Sequence, residues 1–170
     1  MDLSAIIRDV PDFPQKGILF KDITTLLKNP EAFKQVIDKM AEKYRGKGIA
    51  KVVGIESRGF IFGGAAAYLL NCGFVPARKP GKLPAETISE SYSLEYGKNT
   101  LELHIDAISE GEKVLVIDDL LATGGTAAAI VKMVERLKGK VEAIEFLIEL
   151  DFLHGREKLK GYNVNSHIRY

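Results

Sequence analysis

From Phe33 onward the apolar positions repeat at helical spacing. Phe33, Val36, Ile37, Met40, Ala41 and Tyr44 form one stripe, with Lys, Gln, Asp and Glu between them. Asn29-Pro30-Glu31 opens this helix: Asn can cap amides, Pro suits the first helical position, and Glu complements the positive end. Gly46 and Gly48 close it. Two strand–helix–strand units follow. Lys51-Val52-Val53-Gly54-Ile55 reads as a buried strand, Gly59 to Leu70 as a helix, and Phe74-Val75-Pro76-Ala77 as the next strand. Val114-Leu115-Val116-Ile117 is apolar on both faces, as a central parallel strand requires. A helix from about Gly125 to Leu137 places Ile130, Val131, Val134 and Leu137 on one face, and Val141 to Leu150 returns as a strand.

This alternation predicts an α/β fold, a central and mostly parallel sheet flanked by helices with right-handed crossovers. Ligands of such sheets sit beyond the carboxyl ends of the strands. That rule selects three stretches: Glu56-Ser57-Arg58-Gly59, Lys79 to Leu94, and Asp118 to Thr126. The middle one carries Gly81, Pro84, Ser89, Ser91 and Ser93 with little apolar periodicity, and is expected to be a lid-like loop.

A chain of 170 residues with no repeat or linker-like shift in composition is expected to form one domain, residues 1–170. Its 46% hydrophobic content suits a globular core that needs no staples. Cys72 has no partner for an internal disulfide, which fits a reducing compartment. No apolar run approaches the ~20 residues that span a bilayer. Met1-Asp2-Leu3 opens no signal-like segment, so a cytoplasmic protein is expected. The formal net charge of +1 gives no general field for nucleic acid or an anionic membrane, and neither is expected as a partner. Any phosphate binding must come from a local site.

Such a site is written into Val114 to Thr126. A buried strand delivers two adjacent carboxylates, Asp118 and Asp119, and a small-residue turn then opens a helix. Gly124 and Gly125 leave backbone amides open, Thr123 and Thr126 add hydroxyls, and the helix start is partly positive, so the turn suits a phosphate. Carboxylates repel phosphate, and Asp118 and Asp119 are better read as acceptors for ribose hydroxyls. A pentose phosphate would satisfy both halves. No Gly-Lys pair is followed by Ser or Thr, and Lys51 occupies the last small position of the Gly46-Lys47-Gly48 start. Neither a nucleotide triphosphatase loop nor a dinucleotide fingerprint is present. His104, His154 and His167 show no metal-ligand spacing.

The segment Val116-Ile117-Asp118-Asp119-Leu120-Leu121-Ala122-Thr123-Gly124-Gly125-Thr126 resembles the phosphoribosyl pyrophosphate motif of the type I phosphoribosyltransferases, in the wording of their adenine-specific members. The resemblance implies that Ala122, Thr123, Gly124, Gly125 and Thr126 hold the 5′-phosphate, and that Asp118 and Asp119 hold the ribose hydroxyls. Phe13 to Ile23 resembles the base-binding segment, about residues 1–30. It implies stacking of adenine by Phe20, main-chain recognition by Leu19 and Lys21, and cover from Leu120 on the opposite face. Gly54 to Phe60 resembles the pyrophosphate loop, with Ser57, Arg58 and Gly59 on pyrophosphate and a cis peptide at Glu56–Ser57.

Arg78 to Pro84 and Ser91 to Gly97 resemble the flexible catalytic loop, about residues 79–98. There Arg78, Lys79 and Lys82 face the leaving pyrophosphate and Glu95 joins Arg58 as a catalytic group; Pro80 stands where many relatives carry a basic residue. Magnesium is implied as a passenger on the substrate with no direct protein ligand, and a homodimer is implied as the assembly. Transfer to another base, or a noncatalytic sensor of phosphoribosyl pyrophosphate, stands as an alternative from the residues themselves.

Overall fold

In the computed structural model, which describes residues 1–94 and 97–170, the chain divides into two units, Met1–Lys39 and Met40–Tyr170. The first begins with a 3₁₀ turn at Ser4–Ile6. Strands β1 (Arg8–Pro11) and β2 (Leu19–Asp22) then pair antiparallel, with Val10 opposite Phe20. The short helix α1 (Thr24–Leu27) follows, and the unit boundary falls within α2 (Pro30–Glu42). Asn29 caps α2 as its side-chain type predicts, its Oδ1 accepting from the amides of Glu31 and Ala32 at 3.1 Å each. Val36, Ile37, Met40 and Ala41 are buried. The helix ends sooner than the stripe suggested: Tyr44 lies in the turn after Glu42, yet is buried, its hydroxyl bonded to the Glu145 carboxylate.

The second unit is built on a five-stranded sheet. Its members are β3 (Ile49–Ile55), β4 (Gly73–Ala77), β7 (Lys113–Leu121), β8 (Lys140–Glu149) and β9 (Val164–Arg169), ordered β4-β3-β7-β8-β9 and paired in parallel throughout. Helix α3 (Gly59–Leu70) joins β3 to β4, and α4 (Gly125–Arg136) joins β7 to β8. Each crossover element packs back on the strands it connects. Val114 and Val116 of β7 enter the core formed with Ile130, Val131 and Val134 of α4. Leu115 and Ile117 are equally buried, and strand alternation turns them to the other face. A sheet covered on both faces explains why β7 carries only apolar residues from Val114 to Ile117, between Lys113, which is exposed, and Asp118.

One expectation fails. The stretch read as an unpatterned loop from Lys79 to Leu94 contains strand β5 (Thr87–Ser93), which pairs antiparallel with β6 (Lys98–His104) in a hairpin. Its burial alternates, with Ile88, Glu90 and Tyr92 half-buried and Ser89, Ser91 and Ser93 exposed. Ser91 and Thr100 hydroxyls meet across the pair at 2.7 Å. The hairpin is tied to the sheet where Arg78 and Glu102 exchange backbone hydrogen bonds of 3.1 and 2.7 Å. Among the described residues no helix is long and apolar enough to cross a membrane.

Candidate active site

The carboxyl ends of β3 and β7 open into a cleft of about 510 Å³. Ser57 and Arg58 line it from the turn after β3, and Asp118, Asp119 and Leu120 from the end of β7. Ala122 and Thr126 add the start of α4, while Lys79 and Lys82 enter from beyond β4. Residues separated by more than sixty positions in sequence thus meet where the topology of a parallel sheet places ligands.

The acid pair is held in an uncommon state. Asp119 is 5% exposed, and Arg58 Nε approaches its Oδ2 at 2.6 Å. The Asp119 amide donates to Asp118 Oδ1 at 2.9 Å, tying that carboxylate to the next residue of the strand. Both carboxyls sit above the usual carboxylate range. Burial is the main cause for Asp118, and the neighbouring Asp119 charge adds to it. Burial also raises Asp119, with the Arg58 guanidinium opposing. Gly59 makes this packing possible: a Cβ there would lie 2.9 Å from Asp118 Oδ1 and 3.0 Å from the Ile117 carbonyl. Its lack of a side chain therefore lets α3 approach β7.

The phosphate-type turn has the predicted form. Gly124 adopts φ of +80°, a conformation that L side chains avoid, and immediately precedes the first turn of α4. A Cβ at Gly124 would also collide with the carbonyl of Gly155, which begins the 3₁₀ turn Gly155–Leu159. Thr123 is exposed and Thr126 half-buried, with the Thr126 hydroxyl donating to Tyr92 Oη at 2.9 Å. The peptide bond Glu56–Ser57 is cis, as the resemblance implied.

Glu56 is a residue that sequence reasoning passed over. It accepts from the Lys79 amide at 2.9 Å and from Arg78 Nη2 at 3.1 Å, with Lys82 Nζ 3.8 Å away. Burial alone would push its carboxyl up, but the Lys79 amide and the Arg78 guanidinium outweigh burial and hold it below its ordinary range. One carboxylate therefore gathers the cationic segment that sequence assigned to pyrophosphate. Nothing in the spacing from Glu56 to Arg78 signals this contact; the parallel pairing of β3 with β4 creates it.

The adenine-binding candidates divide between the two units. Leu120 lines the cleft of the second unit, whereas Leu19, Phe20 and Lys21 lie on β2 of the first. Phe20 meets Phe13 edge-on, with ring centroids 5.1 Å apart, and the two rings line a depression of about 290 Å³ with Val10 and Asp22. Leu19 is 51% exposed, and Lys21 pairs with Asp9 at 2.7 Å. Glu95 lies outside the described residues.

A model of the phosphoribosyl transferase domain matches residues 22–166. The adenine phosphoribosyltransferase of Brachyspira hyodysenteriae is 59% identical over 170 residues, the whole of both chains. The crystal structure of adenine phosphoribosyltransferase from Thermoanaerobacter pseudethanolicus superposes with a TM-score of 0.95 at 53% identity, covering 99% of this chain and 98% of that one. The Saccharomyces cerevisiae enzyme, crystallised with adenine and an imino-altritol bisphosphate, gives a TM-score of 0.92 at 41% identity over 98% and 96% of the two chains. With its acid pair and glycine turn set at the end of one parallel strand and its likeness running the full length of these relatives, the chain belongs to the adenine phosphoribosyltransferase family.

Proposed function

We propose that the chain transfers the phosphoribosyl group of phosphoribosyl pyrophosphate to adenine, forming AMP and pyrophosphate in purine salvage. The observation that carries this reading is the single cleft lined by Arg58, Asp118, Asp119, Leu120 and Thr126. It offers hydroxyl acceptors beside a helix start and a guanidinium, the complement of a ribose carrying phosphate at one end and pyrophosphate at the other.

In the reaction N9 of adenine forms a bond to the anomeric carbon as the bond from that carbon to pyrophosphate oxygen breaks. The electron pair leaves with pyrophosphate, and the proton of N9 is lost. The family resemblance implies an oxocarbenium-like transition state, so the protein acts by positioning and electrostatics rather than by a covalent intermediate. Ala122, Thr123, Gly124, Gly125 and Thr126 would hold the 5′-phosphate, with Asp118 and Asp119 on the ribose hydroxyls. Ser57, Arg58, Gly59, Arg78, Lys79 and Lys82 would face pyrophosphate. Glu56 supports this last assignment by holding Arg78 and the Lys79 amide in place. The resemblance assigns adenine recognition to Leu19, Phe20, Lys21 and Leu120, and assistance with loss of its proton to Glu95. Magnesium carried by the substrate would supply charge neutralisation to the leaving group without a direct protein ligand; of the cleft carboxylates, Asp119 is matched by Arg58 and Glu56 by Arg78.

A homodimer in the cytoplasm completes the proposal. For the dimer, the support is α3, whose sequence Gly-Phe-Ile-Phe-Gly-Gly-Ala-Ala-Ala-Tyr-Leu-Leu is apolar throughout, yet leaves Tyr68 85% and Ile61 41% exposed. A helix apolar all round calls for a covering partner, and a second copy supplies one. Pyrophosphate release measured across a panel of bases tests the activity. Release with adenine alone, with AMP as the other product, supports the reading. Release with hypoxanthine or orotate instead shifts the base, and no release with any base leaves a sensor.

A further inference from the structure

Tyr92 makes two separate contacts with the start of α4. Its hydroxyl accepts from Thr126 Oγ1 at 2.9 Å. Its ring lies so close over Gly125 that a Cβ there would stand 2.8 Å from Tyr92 Cδ2. The side chain also lines both the cleft and an adjoining depression of about 440 Å³, so it forms the wall between them. The strand beneath it is fastened to the same helix. Arg136 donates to the Ser89 carbonyl at 2.9 Å, and Lys132 and Arg136 approach Glu90 at 3.3 and 3.4 Å.

A hydroxyl has one proton to give and two lone pairs to receive. The proton of Thr126 goes to Tyr92, and Tyr92 keeps its own proton for another acceptor. A phosphate at the first turn of α4 would draw the Thr126 proton to itself. Tyr92 can then donate to Thr126 Oγ1 in its place, reversing the hydrogen bond without moving either side chain. Each hydroxyl would polarise the next along the chain from Tyr92 through Thr126 to phosphate.

We propose that Tyr92 is a positioning residue for the 5′-phosphate: its hydroxyl orients Thr126, and its ring closes the side of the pocket over Gly125. This rests on the assignment of Ala122 to Thr126 to the 5′-phosphate, and acts through Thr126 rather than on the reacting atoms.

The test is a double-mutant cycle read by calorimetric titration of two probes, ribose 5-phosphate and pyrophosphate. Tyr92→Phe should weaken ribose 5-phosphate about three- to tenfold, the size of one neutral hydrogen bond, and leave pyrophosphate binding and the melting temperature unchanged. With phosphoribosyl pyrophosphate, KM should rise while kcat holds. In a Thr126→Val background, Tyr92→Phe should add nothing. Thr126→Ser, which keeps the hydroxyl, should restore the effect of Tyr92→Phe. Equal weakening of both probes, or an undiminished effect of Tyr92→Phe beside Thr126→Val, overturns the role of Tyr92. Should Thr126→Val itself leave ribose 5-phosphate binding intact, the 5′-phosphate assignment fails first and takes the inference with it.

Discussion

Arg58 Nε and Asp119 Oδ2 stand 2.6 Å apart, joining the turn after β3 to the end of β7 across the cleft. The proposed pyrophosphate ligand and one proposed ribose ligand are therefore partners of each other. Arg58→Lys keeps a positive charge but loses the planar fork that reaches carboxylate and phosphate together. KM for phosphoribosyl pyrophosphate should rise about 10- to 100-fold, the scale of one or more charge-assisted hydrogen bonds. Initial rates at varied substrate check this, and an unaltered KM removes Arg58 from the site.

Asp118 gives a prediction in which stability and binding move in opposite directions. Its folded carboxyl lies above the ordinary value of 3.8, so the folded state binds the proton more tightly than the unfolded chain does. Stability is accordingly lost as pH rises from 3.8 through the folded value. Asp118→Asn cannot ionise, and should raise Tm at pH 7 with no gain at pH 3.5. Thermal melts at the two pH values decide this.

Glu149 behaves in the reverse sense. Burial pushes its carboxyl up, but Arg156 at 2.6 and 2.7 Å, Ser166 at 2.5 Å and Arg169 at 3.3 Å bring it down to about 2 from an ordinary 4.5. The stabilisation is complete above 4.5 and is lost as pH falls through the folded value near 2. The gap corresponds to about 3 kcal/mol. Glu149→Gln should lose about 2–3 kcal/mol at pH 7 in urea unfolding, and the difference from wild type should narrow as the pH is lowered toward 2.

Tyr68 tests the covering of α3. Sedimentation should give the wild-type protein twice its chain mass of 18.7 kDa, and Tyr68→Glu should bring it to the single-chain mass. A wild-type protein that sediments as one chain removes the dimer.

The central sheet and the glycine turn were legible because their signals are local. Val114 to Ile117 is apolar on both faces, and Gly124 supplies the left-handed residue the turn demands. The β5–β6 hairpin was not, because the inward position between Ile88 and Tyr92 is held by charged Glu90, which Lys132 and Arg136 satisfy from α4. Strand β9 hid for a related reason. Its half-buried Ser166 and His167 answer the buried acids Glu149 and Glu145 on β8, so its pattern reads as polar. Glu56 was invisible as an organiser of Arg78 and Lys79, since that contact spans 22 residues and exists only once β3 and β4 lie side by side. The acids and glycines of the candidate site are readable as a pattern in the sequence; which groups neutralise or orient them emerges only in the fold.

Calorimetric titration of phosphoribosyl pyrophosphate into the wild-type protein and into Asp118→Asn/Asp119→Asn addresses the central claim, that the end of β7 grips an activated pentose phosphate by its hydroxyls. Binding to the wild type should be saturable and one-to-one, and weakened at least about tenfold in the double variant. Equal affinity in the two proteins, or no binding to either, would contradict it.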